Sequence, residues 1–471
     1  MKRIVTLVVC LAVATLFAML LFYLPAQAQS QATASSQAKD PGVRTGTVNA
    51  GQALSTLSPS QLEYFTDGQA RFNEVDQVAN GLGPTYNSNS CAGCHAQPSV
   101  GGTSPGANQF PNIGPNPQIE AANAGGATNQ IPFFITADGP VREARFPFVV
   151  SSSGSVTRTP DGGVHALYTI TGRGDAGSCS LAQPNFQQMS QLHNLIFRIP
   201  TPVFGAGLIE NIADATILAN MRANSSLKSR LGISGHPNFS GNDGSITRFG
   251  WKAQNKSLEI FTGEAYNVEM GVTNELFPDE RGTPPTACIL NPTPEDTTNF
   301  DASGNKIPSD AVEFSAFMRF LAPPAQSSQG IPGNPPASSI QNGQALFSQI
   351  HCDSCHTPAL QTAASKFTPG LSNQTAALYS DLLVHNMGNG LADNVSQGSA
   401  GPDEFRTAPL WGLGQRIFFL HDGRSGPANG GLVHAIQQHA SSGSEANGVI
   451  SNFNQLSTQQ KQDLLNFLRS L

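Results

Sequence analysis

Charge is scarce in this chain. Only 12% of its 471 residues are Asp, Glu, Lys or Arg, and the balance is acidic, −7 at neutral pH. A chain with no basic excess is not built to hold a nucleic acid. Long apolar runs are scarce too. One extends from Ile4 to Leu24, behind Lys2 and Arg3 and ahead of Ala26-Gln27-Ala28, the small-x-small pattern a signal peptidase cuts. Residues 1–28 therefore read as a secretory signal peptide; an uncleaved anchor is the alternative, since about 20 apolar residues also span a bilayer. Cys10 follows Val8 and Val9, where a lipid-attachment site wants a small residue. No second such run follows, so no membrane span is expected after cleavage. The mature protein, with 23 basic against 32 acidic residues, is expected in the periplasm or otherwise exported.

Glycine (47) and proline (33) are abundant, so long neutral, turn-rich stretches are expected, and the length suits two or three domains. Residues 29–50, rich in Gln, Ala and Ser, read as a disordered leader. Ser58, Pro59 and Gln61 spell a helix start with a capping box. Residues 96–130 have little periodicity, whereas FPFVV and VHALYTITG, separated by the turn signal TPDGG, predict a small β excursion. A helix is expected from Asp310 to Leu321, stopped by Pro323 and Pro324. The Pro/Gly/Ser-rich stretch 322–339 reads as a linker between a larger region, 51–321, and a smaller one, 340–471. In the latter, IQNGQALFSQI predicts a helix and STQQKQDLLNFLRSL a capped amphipathic one.

Six cysteines follow the signal. Cys91 and Cys94 lie in CAGCH, Cys352 and Cys355 in CDSCH, and Cys179 and Cys288 have no motif; in an exported protein these two are expected to form a disulfide. In CxxCH the two thiols add across the vinyl groups of a haem and the adjacent histidine ligates the iron. A zinc site would have to pool cysteines 261 residues apart and leave both histidines unexplained. A thioredoxin-like dithiol needs a βαβ context that neither motif has. The reading is two covalently bound haem c groups, ligated by His95 and His356.

What fills the second axial position of each iron separates electron transfer from reactivity. Near the second motif the candidates are His385, Met387, His421, His434 and His439; after His95 no histidine occurs before His165, and His165, His193 and His236 are remote candidates.

FRTAPL and FFLHDG are similar to segments of the bacterial di-haem cytochrome c peroxidases. The chain more closely resembles the di-haem oxidoreductases, also labelled predicted thiol oxidoreductases, through LLVHNMGNGLADN, FRTAPLWGLG, FLHDGR, FMRFLAPP, GAGLIENI, and RFGWKA followed by EMGVTN. The resemblance runs from about Leu57 to Leu471. It places His439 at the axial methionine position of the peroxidases, implying His356/His439 ligation, and Glu269 at their distal glutamate, implying a catalytic acid/base over the first haem. His421 would pack between the haems or bond a propionate, and Arg406 would pair with a propionate or an ordinary carboxylate. Phe249 stands where the peroxidases have tryptophan, with Trp251 two residues on, and Glu259 stands at their distal glutamine. GQRI replaces their TAP-like residues, so their calcium is not carried over.

The expected fold is mainly α: two cytochrome c-like haem domains, the first enlarged by long loops and the β excursion. The expected function is hydrogen peroxide reduction at the first haem, with electrons relayed by the second from a soluble donor protein. The alternatives are oxidation of a thiol or other small organic substrate, and a non-enzymatic electron-transfer cytochrome.

Overall fold

Helix α1 (Pro59–Phe72) starts where its cap dictates: the Gln61 amide donates to the Ser58 hydroxyl, and the Ser58 amide donates to the Gln61 side chain. It belongs to a computed structural model that describes residues 37–46, 48–108, 113–365 and 368–471. The signal peptide and residues 29–36 of the leader lie outside the described residues. From Lys39 to Leu471 the chain forms one unit.

Helices are the long elements. Those that position the site are α1, α2 (Leu258–Ala265), α3 (Asp310–Phe320), α4 (Ala337–Gln349), α5 (Gly431–Gln437), α6 (Asn447–Gln455) and α7 (Thr458–Ser470). Among the described residues the strands form seven small sheets, of which one has three strands and the rest two. The fold is thus mainly α, as expected.

The two halves repeat one packing device. In each, the helix leading towards CxxCH crosses a later helix at a glycine. A Cβ on Gly68 of α1 would overlap the Glu313 carbonyl of α3, and one on Gly343 of α4 would overlap the Asp463 carbonyl of α7. Aromatic rings seal both crossings, with Phe72 4.9 Å from Phe317 and Phe347 5.5 Å from Phe467 between centroids. Such close approach lets the rings bury fully and interdigitate.

The β excursion differs in pairing from the expectation. FPFVV does not use TPDGG as its turn: Phe148–Val150 pairs with Val156–Pro160 across the tighter Ser151–Ser155 turn. The sheet that matters is β1 (Glu143–Arg145), β2 (Val164–His165) and β3 (Ile196–Arg198), antiparallel with β1 in the centre.

Residues 39–46 and 48–50, expected within the disordered leader, are packed. Asp40 accepts both arms of the Arg469 guanidinium at 2.7 Å, and the buried Arg44 donates to the Gly414 and Leu471 carbonyls. Few apolar side chains are needed there, because charge-assisted contacts with α7 hold the segment. The 322–339 stretch is likewise fastened: Ala325 N donates to Val48 O, Ser327 N to Ser470 O, and Ile331 is buried. A segment without internal ladders sends its amides to its neighbours.

Candidate functional site

Each CxxCH motif lines a large cavity. The four motif cysteines are free thiols, while Cys179 and Cys288 are joined. Burial pushes the Cys94 and Cys352 thiols up to about 12 and holds the motif histidines His95 and His356 down at about 4. The imidazoles are therefore neutral.

Their orientation is set by the backbone. His95 Nδ1 donates to the Gly102 carbonyl at 2.9 Å, and His356 Nδ1 to the Tyr379 carbonyl at 3.0 Å. Both rings thus keep Nε2 as the lone-pair nitrogen, the tautomer a metal ligand needs. His439, just beyond α5, follows the same pattern, donating from Nδ1 to Ala435 O at 2.8 Å. It lines the second cavity together with His356, and burial lowers its pKa.

The rival candidates are otherwise engaged. His385 is buried between Asp381 and Glu445, one ring nitrogen on each at 3.0 and 2.8 Å, which leaves no lone pair for iron. His434 bonds the Ser425 hydroxyl. Met387 is the exception, lining the second cavity along with His356. His421 stacks on Phe405 at 4.3 Å and meets Trp251 edge-on, and burial brings its pKa to about 4. Trp251, held by its indole N–H on Ile199 O, lines both cavities. His165, His193 and His236 line neither cavity.

The first cavity has a polar lining of its own. Helix α2 widens into a π-helical turn, Tyr266–Met270, ended by Gly271 at φ +78°. Such a turn re-aims one side chain. That side chain is Glu269, gripped by the loop ahead of CAGCH: Asn87 Nδ2 donates to its Oε2 at 2.7 Å, and the Asn87 amide to its carbonyl at 2.7 Å. Burial, reinforced by the neighbouring Glu143, pushes Glu269 up to about 8. Glu259, by contrast, is exposed and does not line the cavity.

Sequence reasoning missed Glu143, Arg145, Arg198 and Glu264, all of which line this cavity. Glu143 and Arg145 are two apart on β1 and share a face, and the register sets Arg198 beside Glu143. The alternation in REAR was a signal; its partner strand was not visible from it.

The cavities suit a haem beyond the thiols and histidines. Arg406 and Arg416 are buried in the second cavity's lining with no carboxylate partner among the described residues; burial lowers both to about 10. In the first cavity Arg142 donates from Nη1 to the Phe134 carbonyl, and its buried Nε has no hydrogen-bond partner among the described residues. Unmatched buried guanidinium groups are costly unless an anion completes them, and haem propionates are such anions.

Residues 165–471 match the family described as "Di-haem oxidoreductase, putative peroxidase". The chain belongs to that family, whose members carry haem. No curated protein matches it. Among solved structures it is similar to a Kuenenia stuttgartiensis hydrazine synthase, at 17% identity over 36% of this chain and 56% of that one, with a TM-score of 0.23. A MauG-like protein associated with microbial copper homeostasis matches at 16% identity over 55% of this chain and 89% of that one, with a TM-score of 0.26. Among the described residues no helix is long and apolar enough to cross a membrane.

Proposed function

We propose that the protein is an exported oxidoreductase with two covalent haem c groups, one in each half, that reduces hydrogen peroxide at the first. Cys91, Cys94 and His95 hold the first haem; Cys352, Cys355, His356 and His439 hold the second. When bound, the first haem supplies the iron at which peroxide is cleaved, and the second stores an electron from a soluble donor protein. Glu269 carries the reading: it is a half-buried carboxyl, held by its π-helical turn and by Asn87 in the lining of a cavity that has no second histidine.

The chain's own groups would act as follows. His95 holds its Nε2 ready, because Gly102 occupies Nδ1. Glu269 takes a proton from one peroxide oxygen and returns it to the other, and its raised pKa suits it to exchange protons near neutrality. Asn87 fixes which carboxyl oxygen faces the cavity by occupying the other. Arg142 would neutralise a propionate. Trp251 lies in both linings and so spans the two sites.

Glu269→Gln should lower peroxide turnover by about 10²-fold or more with both haems retained, since a positioned acid/base contributes about that much. An unchanged rate removes Glu269 from the mechanism. Ferric spectra that stay wholly low-spin before and after one-electron reduction would replace this reading with the electron-transfer one.

A further inference from the structure

Glu269 has a neighbour that its own proton transfer does not require. Glu143 projects from the central strand β1 into the same cavity lining, where its carboxyl and that of Glu269 act on one another. Two interacting carboxylates in one largely enclosed lining do not readily both stay ionised, so one proton is shared between them. The surroundings decide where the charge rests. Glu143 accepts from Arg145 Nε at 2.6 Å, and Arg198 is its register partner on β3. Glu269 receives a neutral amide from Asn87, and Arg281 faces it from beyond the π-helical turn. Glu264 faces Arg145.

We propose that Glu143 is the second member of an acid pair with Glu269, a positioning residue that receives and returns the proton which Glu269 exchanges with substrate. This rests on the reading of Glu269 as the proton-transfer group. The directions agree with the geometry: burial works against charge on Glu143, yet Arg145 and Arg198 hold it below the usual carboxylate range, while Glu269 is pushed up to about 8.

The pair begins with one proton, on Glu269. The proton of the first peroxide oxygen passes to Glu269, whose own proton crosses to Glu143, and the pair becomes neutral. Glu143 then gives a proton back, and Glu269 delivers one to the second oxygen. The O–O bond breaks, its electron pair leaves with that oxygen as water, and the pair again holds one proton. The first oxygen is reduced by two electrons from the donor protein and takes two protons from solvent to form the second water. A single carboxyl at about 8 accepts at neutral pH only through its ionised minority; the pair accepts more fully because Glu143 remains ionised.

The test is an infrared titration of the haem-loaded protein, read as difference spectra between native protein and variants in the C=O stretch of protonated carboxyls. Glu269→Gln should remove one such band at pH 7. In Glu143→Gln the like charge is gone and an N–H donor replaces it, so the midpoint of that band should fall by about one pH unit or more. Peroxide turnover at pH 5, where Glu143 is ionised and a lone Glu269 is protonated, should drop about 10-fold or more in Glu143→Gln. Glu143→Asp, which keeps a charge beside Arg145, should restore part of both. A midpoint unmoved in Glu143→Gln overturns the pair, and a simultaneous loss of turnover in Glu269→Gln leaves the Glu269 reading standing. A band that persists in Glu269→Gln overturns both.

Discussion

Around His356 the cavity lining consists largely of aliphatic and aromatic side chains such as Leu432, Ala435, Ile436 and Val449, with His439 among them and Arg406, Arg416 and Glu445 as its charged members. Around His95 the lining includes Glu143, Arg145, Arg198, Glu264 and Glu269, and no histidine but His95 itself. The two motifs themselves are alike: a backbone carbonyl on each Nδ1, a helix crossing at a glycine, and neutral imidazoles. The difference comes from what later chain segments bring to each cavity. An apolar lining with a second imidazole suits an iron closed on both sides, and a lining of titratable groups suits one that exchanges protons with a ligand.

Removing His439 should erase that difference. His439→Ala is expected to turn the second haem from low-spin to high-spin, so that electron paramagnetic resonance of the ferric protein shows two open haems. His439→Met should keep it low-spin and raise its reduction potential, because a thioether donor disfavours the ferric state relative to imidazole. A second haem that is already high-spin in the native protein rules out this ligation.

The next largest effect tests whether the two sites are one structure. Asp393 has a side chain with no solvent exposure and pairs with Arg198 at 2.6 Å, in the first cavity's lining, and with Lys252 at 3.1 Å. Lys252 in turn lies 4.1 Å over the ring of Phe405, in the lining of the second. Asp393→Ala leaves the buried Lys252 without a carboxylate and strips one from the buried Arg198, and should cost about 3–5 kcal/mol in denaturant unfolding. Both haem spectra should respond. A change confined to one haem would show that the network does not join the sites.

Gly343→Val pushes side-chain atoms onto the Asp463 carbonyl at the α4–α7 crossing and should cost about 1–3 kcal/mol by overpacking. Gly68→Val should do the same in the first half, and unequal losses in thermal unfolding would mark the less forgiving half.

The smallest effect is pH-dependent. Asp76 is buried, accepts from the Tyr266 hydroxyl at 3.0 Å, and is pushed by burial from 3.8 to about 7. Its folded-state pKa is raised, so its contribution to stability is complete below about pH 4 and is lost as the pH rises through about 7. Asp76→Asn keeps the acceptor and removes that loss. Its melting temperature relative to the native protein should therefore climb between pH 5 and pH 8, and a flat difference would show that Asp76 is not held protonated.

The motifs that carried the resemblance prove to be stitched to one another. Asp393 of LADN binds Lys252 of RFGWKA, and the Arg406 amide of FRTAPL donates to the Trp251 carbonyl of the same segment. Arg319 of FMRFLAPP pairs with Glu210 of GAGLIENI at 2.7 Å. Much of what was legible as motif is therefore the framework that holds two cavities together. Glu143 was only half legible: the alternation in REAR marks one face of a short strand, but the distant strand that sets Arg198 beside it leaves no mark along the chain.

By itself the amino-acid sequence determined the local chemistry: two CxxCH motifs, a capped α1 and α7, and the cysteine pair 179 and 288. Each of these is set by spacings of a few residues or by the number of thiols available. Only the tertiary structure decided which side chains complete each cavity. Glu269 meets Asn87 across 182 residues, and Arg198 meets Asp393 across 195. Contacts of that length depend on how helices cross and how short strands register, and no spacing along the chain encodes them.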